Sequence, residues 1–260
     1  MSTATVTLER RFDDRSVDAR PSLARLTAVE LRKAVDTRAG FWLQLGIVGL
    51  AITFAILQAV LGHASDHTLR SILESALFPW YVLLPIVGIL LVSSEWSQRT
   101  TLVTFTLVPK RTRVLAAKLA AAILLACAAV GLSLAFALVA TAFADPGLPR
   151  TWSLSGTVLG QELILMVTSM ITGLAYGAVF LSSAPAIVAS FALPLAWTAL
   201  GSISALTGTA RWLDGGRSFG PMTEHVMNGT EWARVGTTLA VWMVLPVLIG
   251  LWRILRSELS

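Results

Sequence analysis

The sequence predicts an all-α membrane protein with six transmembrane helices and both termini on the cytoplasmic side. Apolar residues make up 55% of its 260 residues and charged residues only 13%, whereas soluble domains are about half apolar and about a quarter charged. Six long apolar segments each approach the roughly 20 residues that span a bilayer. Together they contain one charged residue, Glu162. This composition excludes a water-soluble enzyme, and it argues against nucleic-acid binding as the meaning of the net charge of +5.

The chain begins with a polar tail and an amphipathic helix. Residues 1–21 mix basic and acidic side chains without an apolar period, which predicts a disordered cytoplasmic tail. Residues 22–40 place leucines on one side of a helical wheel and most basic residues on the other, as in an interfacial helix that leads into the first span. Glu30 falls within the apolar stripe, which a helix buried against protein accommodates through Arg or Lys partners.

The six spans are uniformly apolar. Each is apolar on all faces, unlike an amphipathic surface helix, and none shows the alternating polarity of a barrel strand. The first apolar run begins only at Phe41 and is long enough to span, so we expect an uncleaved anchor rather than a signal peptide. The predicted spans cover residues 41–61, 76–94, 119–143, 157–181, 185–206 and 235–252.

Basic residues predict the orientation of the spans. When Lys and Arg are assigned to the tails and connections, 15 of the 20 fall on the side of both termini. Basic connections stay in the cytoplasm, so residues 253–260 form a cytoplasmic tail. Seven of the nine tryptophans fall at or beyond predicted span boundaries, where aromatic belts form. Trp197 and Trp242 fall near mid-membrane, and either packing between helices or lining of a pathway explains them.

Two connections are long enough to hold structure of their own. Residues 95–118 lie on the cytoplasmic side and combine five basic residues with Leu102, Phe105 and Leu107. Two interpretations fit: a short helix that docks on a partner protein or the membrane surface, or an ordinary basic connection. Residues 207–234 lie on the outer side and are expected to form one or two short helices, which either cap a pathway or cover the bundle.

Three residues within the spans are candidates for a gating or structural role. Glu162 lies near the outer end of the fourth span, where it serves either a structural interfacial role or contact with a substrate or gate. Pro85 and Pro194 each remove a backbone hydrogen bond and predict kinks in the second and fifth spans. Such kinks serve gating in some proteins and are static features in others.

Motifs for catalysis or nucleotide binding are missing. The sequence has no Gly-x-x-x-x-Gly-Lys-[Ser/Thr] loop, so we expect neither ATP nor another cofactor on this chain, and no enzymatic activity of its own. His63 and His67, with Asp66 between them, form a weak metal-ligand pattern, and we expect no metal site. A membrane-embedded enzyme that uses these residues is one alternative. A secondary carrier or channel is another, although no span carries the row of acids or bases typical of a proton-coupled carrier.

The order of these features resembles the membrane subunits of ABC-2 type ABC transporters, from about Leu26 to Arg256. The helix that carries Glu30, Arg32 and Lys33 is similar to the family's connecting, or elbow, helix. Six spans with both ends inside, and a long outer connection before the last span, are similar to the family's layout.

The connection after the second span carries the rest of the resemblance. The family pattern there is an acidic residue, an aromatic residue, Gly-Thr, a Leu/Thr run ending in Pro, a basic residue, and a Lys that opens the third helix. Arg99 stands where Gly is usual, and Ser97 stands where a basic residue is common. The residues that match the pattern are Glu95, Trp96, Thr100, Leu107, Pro109, Arg111 and Lys118.

The resemblance implies an exporter of two permease subunits, identical or different, and two separate cytoplasmic ATPase subunits that bind ATP and Mg. It places the chain in the cytoplasmic membrane of a bacterium, where it contacts membrane lipid and binds no nucleic acid. The few charges in the spans favour an apolar or amphipathic substrate, such as a drug or lipid. The implied coupling residues are Glu95, Arg99, Thr100, Phe105, Pro109, Arg111, Arg113 and Lys118, and the implied pathway candidates are Gln44, Gln58, Tyr81 and Trp197.

Overall fold

The computed structural model describes residues 21–62, 67–97, 111–144, 147 and 151–256. Within these ranges the chain forms helices and turns, and no strands. Six of the helices are long and apolar enough to cross a membrane. The prediction of an all-α chain with six spans of transmembrane character is therefore confirmed.

Several sequence predictions fall outside the described residues. They concern residues 1–20 of the tail, the pattern at His63 and Asp66, and residues 257–260. Residues 98–110 of the predicted coupling connection also belong to this group, and only the backbone of Arg111 is described. The predicted coupling residues outside the described ranges are Arg99, Thr100, Phe105 and Pro109.

A single residue separates the amphipathic helix from the first span. Ser22 caps the N-terminal end of helix α1 (Leu23–Asp36), because its Oγ accepts the Arg25 backbone N–H at 3.2 Å. Helix α2 (Arg38–Leu61) begins after Thr37, which has an extended backbone and whose Oγ1 accepts the Gly40 N–H at 3.1 Å. Hydroxyl N-caps of this kind start helices, so the chain forms two separate helices here rather than one continuous rod.

Three long helices form the centre of the bundle: α3 (Leu69–Ser97), α4 (Arg111–Ala144) and α5 (Gly156–Phe180). The backbones of α3 and α5 touch, because a Cβ added to Gly173 would lie 2.1 Å from the Pro85 carbonyl oxygen. Small residues permit such close helix packing. Buried residues make up 56% of the apolar stretch of α3 and 50% of that of α5, against 33% for α4.

The fifth span lies at the periphery. Helix α6 (Ser183–Leu200) has only 6% of its apolar stretch buried within the chain. It ends earlier than the predicted Leu206, because the chain turns at Gly201, where an added Cβ would lie 2.7 Å from the Ala210 side chain. The first three predicted spans lie inside α2, α3 and α4, and the fourth ends at Leu181, just past the end of α5.

Two short helices precede the last span. They are α7 (Thr207–Leu213) and α8 (Gly215–Glu224), and both lie in the predicted outer connection. Asp214 separates them, and its Oδ1 accepts the Gly216 N–H at 2.9 Å, which caps α8.

The last span begins earlier than the predicted Val235. A capping box starts it: Asn228 Oδ1 accepts the Glu231 N–H at 3.0 Å, and Glu231 Oε2 accepts the Asn228 N–H at 2.8 Å. The span also contains a π-helical segment, in which one extra residue widens the helical turn. Its parts are α9 (Gly229–Leu239), the π segment Ala240–Val244 and α10 (Leu245–Arg256).

Candidate functional site

Four charged side chains from α1, α3 and α4 meet in what we call the elbow cluster: Glu30, Lys33, Glu95 and Lys118. Lys118 Nζ donates to Glu30 Oε2 at 2.6 Å, to Glu95 Oε1 at 3.0 Å and to the Leu91 carbonyl at 2.8 Å. Lys33 Nζ donates to Glu30 Oε1 at 2.8 Å and to Glu95 Oε1 at 2.7 Å. Each lysine therefore binds both glutamates, and the cluster is neutral as a whole.

The elbow cluster is largely withdrawn from solvent. Glu30, Glu95 and Lys118 are 4%, 6% and 3% exposed, whereas the side chain of Lys33 is 40% exposed. Burial alone lowers the pKa of Lys33, but its hydrogen bonds to Glu30 and Glu95 and their negative charges outweigh this effect and raise the pKa above its usual value. Buried charges are stable only when each has well-placed partners, and this geometry supplies them.

The sequence places these four residues around the connection 98–110. Helix α3 ends at Ser97, close after Glu95, and α4 begins at Arg111, two turns before Lys118. Helix α1 is thereby bonded both to the helix that enters the connection and to the helix that leaves it. Arg113 adds a further link, because its Nη2 donates to the Pro21 carbonyl at 2.9 Å.

The structure separates the predicted elbow residues by role. Glu30 has the basic partners that its place in the apolar stripe predicted, and one of them, Lys118, is remote in sequence. Arg32 lies outside the cluster: it pairs with Asp36 at 3.0 Å, and both side chains are exposed. The Lys118 pairing had no local sequence signal, because it joins residues on different helices.

A cavity of about 380 Å³ lies between α3, α5, α6 and the last span. Four sequence candidates line it: Tyr81, Pro85, Pro194 and Trp197. All of its lining residues are apolar, aromatic, hydroxyl-bearing or glycine, and no charged side chain is among them. Residues of α7 and α8 also line it, so the two short helices close part of the cavity as well as cover the bundle.

Trp197, near the end of α6, and Trp242, in the middle of the last span, line this cavity together. The rings of Trp197 and Trp242 meet edge to face, with centroids 6.3 Å apart. Trp242 Nε1 donates to the Leu213 carbonyl at 2.8 Å, whereas Trp197 Nε1 is buried without a hydrogen-bond partner among the described residues. The two rings therefore pack on each other and line the cavity, and the lining of a transport pathway stays a prediction. Trp242 belongs to the π segment, a feature that is frequent at functional sites.

The glutamines predicted for a pathway are engaged away from this cavity. Gln44 Nε2 donates to the Ala34 carbonyl at 2.8 Å and so braces the turn between α1 and α2. Gln58 Nε2 donates to Ser71 Oγ at 2.8 Å, and its Oε1 accepts from Ser75 at 3.4 Å, which ties α2 to α3.

Glu162 is 2% exposed on α5, and its Oε1 has no hydrogen-bond partner among the residues that the structure describes. The neighbouring Gln161 has the clearer structural role. Its Nε2 donates to the Met222 and His225 carbonyls, both at 2.8 Å, and its Oε1 accepts the Met227 N–H at 3.1 Å. Sequence reasoning missed Gln161, although a buried amide in an apolar span is a recognisable signal for such a contact.

The weak metal pattern gains no support from the described residues. His67 Nε2 lies 2.9 Å from the Gly62 carbonyl, at the end of α2. Within the described ranges, no three His, Cys, Asp or Glu side chains converge as a metal site.

No family model matches this chain, and no curated protein matches it either. The functional assignment therefore rests on the elbow cluster and the cavity.

The two features suit different tasks. Every lysine and glutamate of the elbow cluster takes part in an ion pair that joins two helices, so its geometry is that of a structural attachment. The cavity offers space, aromatic surface and hydroxyl groups without charge, so it suits an uncharged apolar guest.

Proposed function

We propose that this chain is the membrane-spanning permease subunit of an ATP-binding-cassette exporter of the ABC-2 type. A separate cytoplasmic ATPase subunit binds ATP and Mg and supplies the energy. A second permease subunit, identical or different, completes the transporter. The substrate is apolar or amphipathic, and the membrane is the cytoplasmic membrane of a bacterium.

The observation that carries this proposal is the elbow cluster. Glu95 near the start of the connection 98–110 and Lys118 beyond its end are both bonded to α1, through Glu30 and Lys33. A displacement applied to the connection by a docked ATPase therefore moves α1, α3 and α4 as one body. An ordinary solvated connection needs no buried four-charge attachment at its base.

The proposed orientation places the elbow cluster and both termini in the cytoplasm and α7 and α8 outside. It agrees with the distribution of basic residues, of which 15 of 20 then lie inside. Helix α1 lies along the membrane interface in this arrangement.

Co-purification tests the proposal. The full chain, purified from its native membrane, is expected to bring down a second protein whose sequence contains a Gly-x-x-x-x-Gly-Lys-[Ser/Thr] loop, identified by mass spectrometry. The double variant Arg99→Glu/Arg111→Glu is expected to weaken this association at least about tenfold, because charge reversal opposes a complementary docking surface.

The matched control reverses two basic residues in the predicted outer connections, Arg150→Glu/Arg211→Glu. It is expected to leave the association unchanged. Purification of the chain without any ATPase, together with transport in vesicles that lack nucleotide, would contradict the proposal and identify a secondary carrier or channel.

A further inference from the structure

The cavity between α3, α5, α6 and the last span has the dimensions of a small-molecule site. Its volume of about 380 Å³ falls within the range of ligand pockets, roughly 300–1,000 Å³. Tyr81, Phe191 and Leu195 line it and are themselves 38%, 37% and 69% exposed, so the cavity opens sideways between α3 and α6. A guest can therefore enter from the surface of the bundle.

The lining excludes charged guests. It contains no Lys, Arg, Asp or Glu. Asp214, between the lining residues Leu213 and Gly215, already pairs with Arg217 at 3.5 Å and caps α8, so an ion in the cavity would lose hydration with little in return. Aromatic rings instead supply much of the wall, through Tyr81, Tyr176, Phe191, Trp197 and Trp242. Such walls bind flat apolar groups well, because aromatic pairs add to the gain from burial alone.

Hydroxyl groups in the wall are available as acceptors. Thr168 donates to the Leu165 carbonyl at 3.0 Å, Thr172 to the Thr168 carbonyl at 2.7 Å, and Ser190 to the Ile187 carbonyl at 2.8 Å. Their hydrogens are thus occupied on their own helices, while each hydroxyl oxygen keeps lone pairs for a donor. A guest hydroxyl can donate to them.

The wall also holds a donor without an acceptor. Trp197 lines the cavity, and its Nε1 is buried with no partner in the part of the chain that the structure describes. A buried donor left unpaired is unfavourable. The N–H has no surface open to the cavity in this conformation, so a guest oxygen accepts from it after the indole turns toward the cavity, and that bond removes the disadvantage. A lipid acyl chain matches the apolar wall but brings no such oxygen.

We propose that this cavity binds one uncharged, largely apolar molecule that carries a hydroxyl or carbonyl group. Its rings or chains pack on the aromatic wall, its oxygen accepts from Trp197 Nε1 once the indole has turned toward the cavity, and a hydroxyl donates to the threonine and serine oxygens of α5 and α6. Binding needs only this chain. The role of the guest as exported substrate rests on the proposed function, whereas its binding does not.

Photolabelling of the purified full chain with 4-(hydroxymethyl)benzophenone tests the proposal. This probe is uncharged, aromatic and of suitable size, and it carries both a carbonyl and a hydroxyl group. Ultraviolet light attaches it to nearby C–H bonds, and peptide mass spectrometry locates the label. We expect label on cavity residues of α5, α6 and the last span, saturating with probe concentration.

Two variants and a control sharpen the result. Ser169→Phe places a ring in the cavity and is expected to reduce labelling there about tenfold. Trp197→Phe keeps an aromatic ring but removes the N–H, and is expected to raise the half-saturating probe concentration about fivefold. Ile164→Phe lies on the same helix but is 41% exposed and outside the cavity lining, so labelling should persist.

Three results would overturn the proposal. One is label spread over the exposed apolar faces and unaffected by Ser169→Phe. Another is an unchanged half-saturating concentration in Trp197→Phe, which decides the matter even if Ser169→Phe fails to fold. The third is loss of cavity labelling after reconstitution into phosphatidylcholine vesicles, which would show that acyl chains occupy the space. A failed co-purification with an ATPase affects none of these measurements.

Discussion

The elbow cluster and the cavity both place polar groups among apolar helices, but they treat those groups in opposite ways. In the cluster, each lysine bonds both glutamates, and Lys118 also bonds a backbone carbonyl. In the cavity, the Trp197 N–H is buried without a partner among the described residues, and the hydroxyl oxygens keep free lone pairs. The comparison indicates that the cluster fixes helices to one another, whereas the cavity keeps polar groups available for a guest.

The helices around the two features also differ in the fraction of their residues that the chain buries. The cluster joins α3, the most buried span, to α1 and α4. The cavity is bounded on one side by α6, whose apolar stretch is only 6% buried. A helix with so few internal contacts is free to move against the centre more easily than one packed on several sides. Helix α3 borders both features, so the difference between them lies in their other walls, which are bonded by charges in the cluster and sparsely packed at α6.

The largest expected loss of stability comes from substitution of Lys118, which donates three hydrogen bonds in the elbow cluster. Lys118→Met leaves Glu30 and Glu95 buried with Lys33 as the remaining basic side chain of the elbow cluster. Removing one partner of a buried ion pair costs about 3–5 kcal/mol, so we expect a loss of that order in the free energy of unfolding. Denaturant unfolding in detergent micelles, followed by circular dichroism, measures it.

Lys33→Met is the matched control, since it removes the same chemical group from the same cluster. The Lys33 side chain is 40% exposed, so water can replace it around the glutamates, and we expect a loss of about 1 kcal/mol. Equal losses for the two variants would show that burial does not determine the strength of the cluster.

Gly173→Ala tests whether the wall of the cavity is as firmly packed as the cluster. An added Cβ would lie 2.1 Å from the carbonyl oxygen of Pro85, which lines the cavity. We expect α3 and α5 to separate and stability to fall by about 1–3 kcal/mol, as for other overpacked contacts. The same unfolding measurement applies.

The control for this variant lies on the same helix. An added Cβ at Gly160 meets nothing within 4 Å, so Gly160→Ala should raise stability by up to about 1 kcal/mol through helix propensity alone. If Gly173→Ala behaves in the same way, the close contact of α3 and α5 is not a constraint on the fold.

The fold was largely predictable, because apolar runs of span length leave few structural options. The predicted span boundaries gave too little weight to the polar residues that mark helix ends. The Asn228 to Glu231 spacing is that of a capping box, and it signals the early start of the last span, but average apolarity placed the start at Val235. Local polar signals set helix ends more sharply than the mean apolarity of a segment.

The two functional features were predictable to different degrees. Glu30 was conspicuous because an acid in an apolar stripe needs partners, yet nothing local identifies Lys118 as one of them. For the cavity, Tyr81, Trp197 and Trp242 were candidates to line a pathway, but Thr172 was not identified with it. Spans that are apolar on all faces give no periodic signal for the face that lines a cavity.

Thr172→Val carries the smallest expected effect on stability and the sharpest test of the contrast. Its Oγ1 donates to the Thr168 carbonyl at 2.7 Å, which is a local bond within α5, so its loss should change the free energy of unfolding by less than about 1 kcal/mol. Labelling by 4-(hydroxymethyl)benzophenone should nevertheless weaken about threefold, because an acceptor for the guest is gone.

Thr141→Val removes an equivalent local bond of 2.7 Å in α4, away from the cavity, and should change neither quantity. A destabilisation by Thr172→Val as large as that of Lys118→Met would mean that the cavity hydroxyls hold the fold together, as the cluster does, and are not kept for a guest.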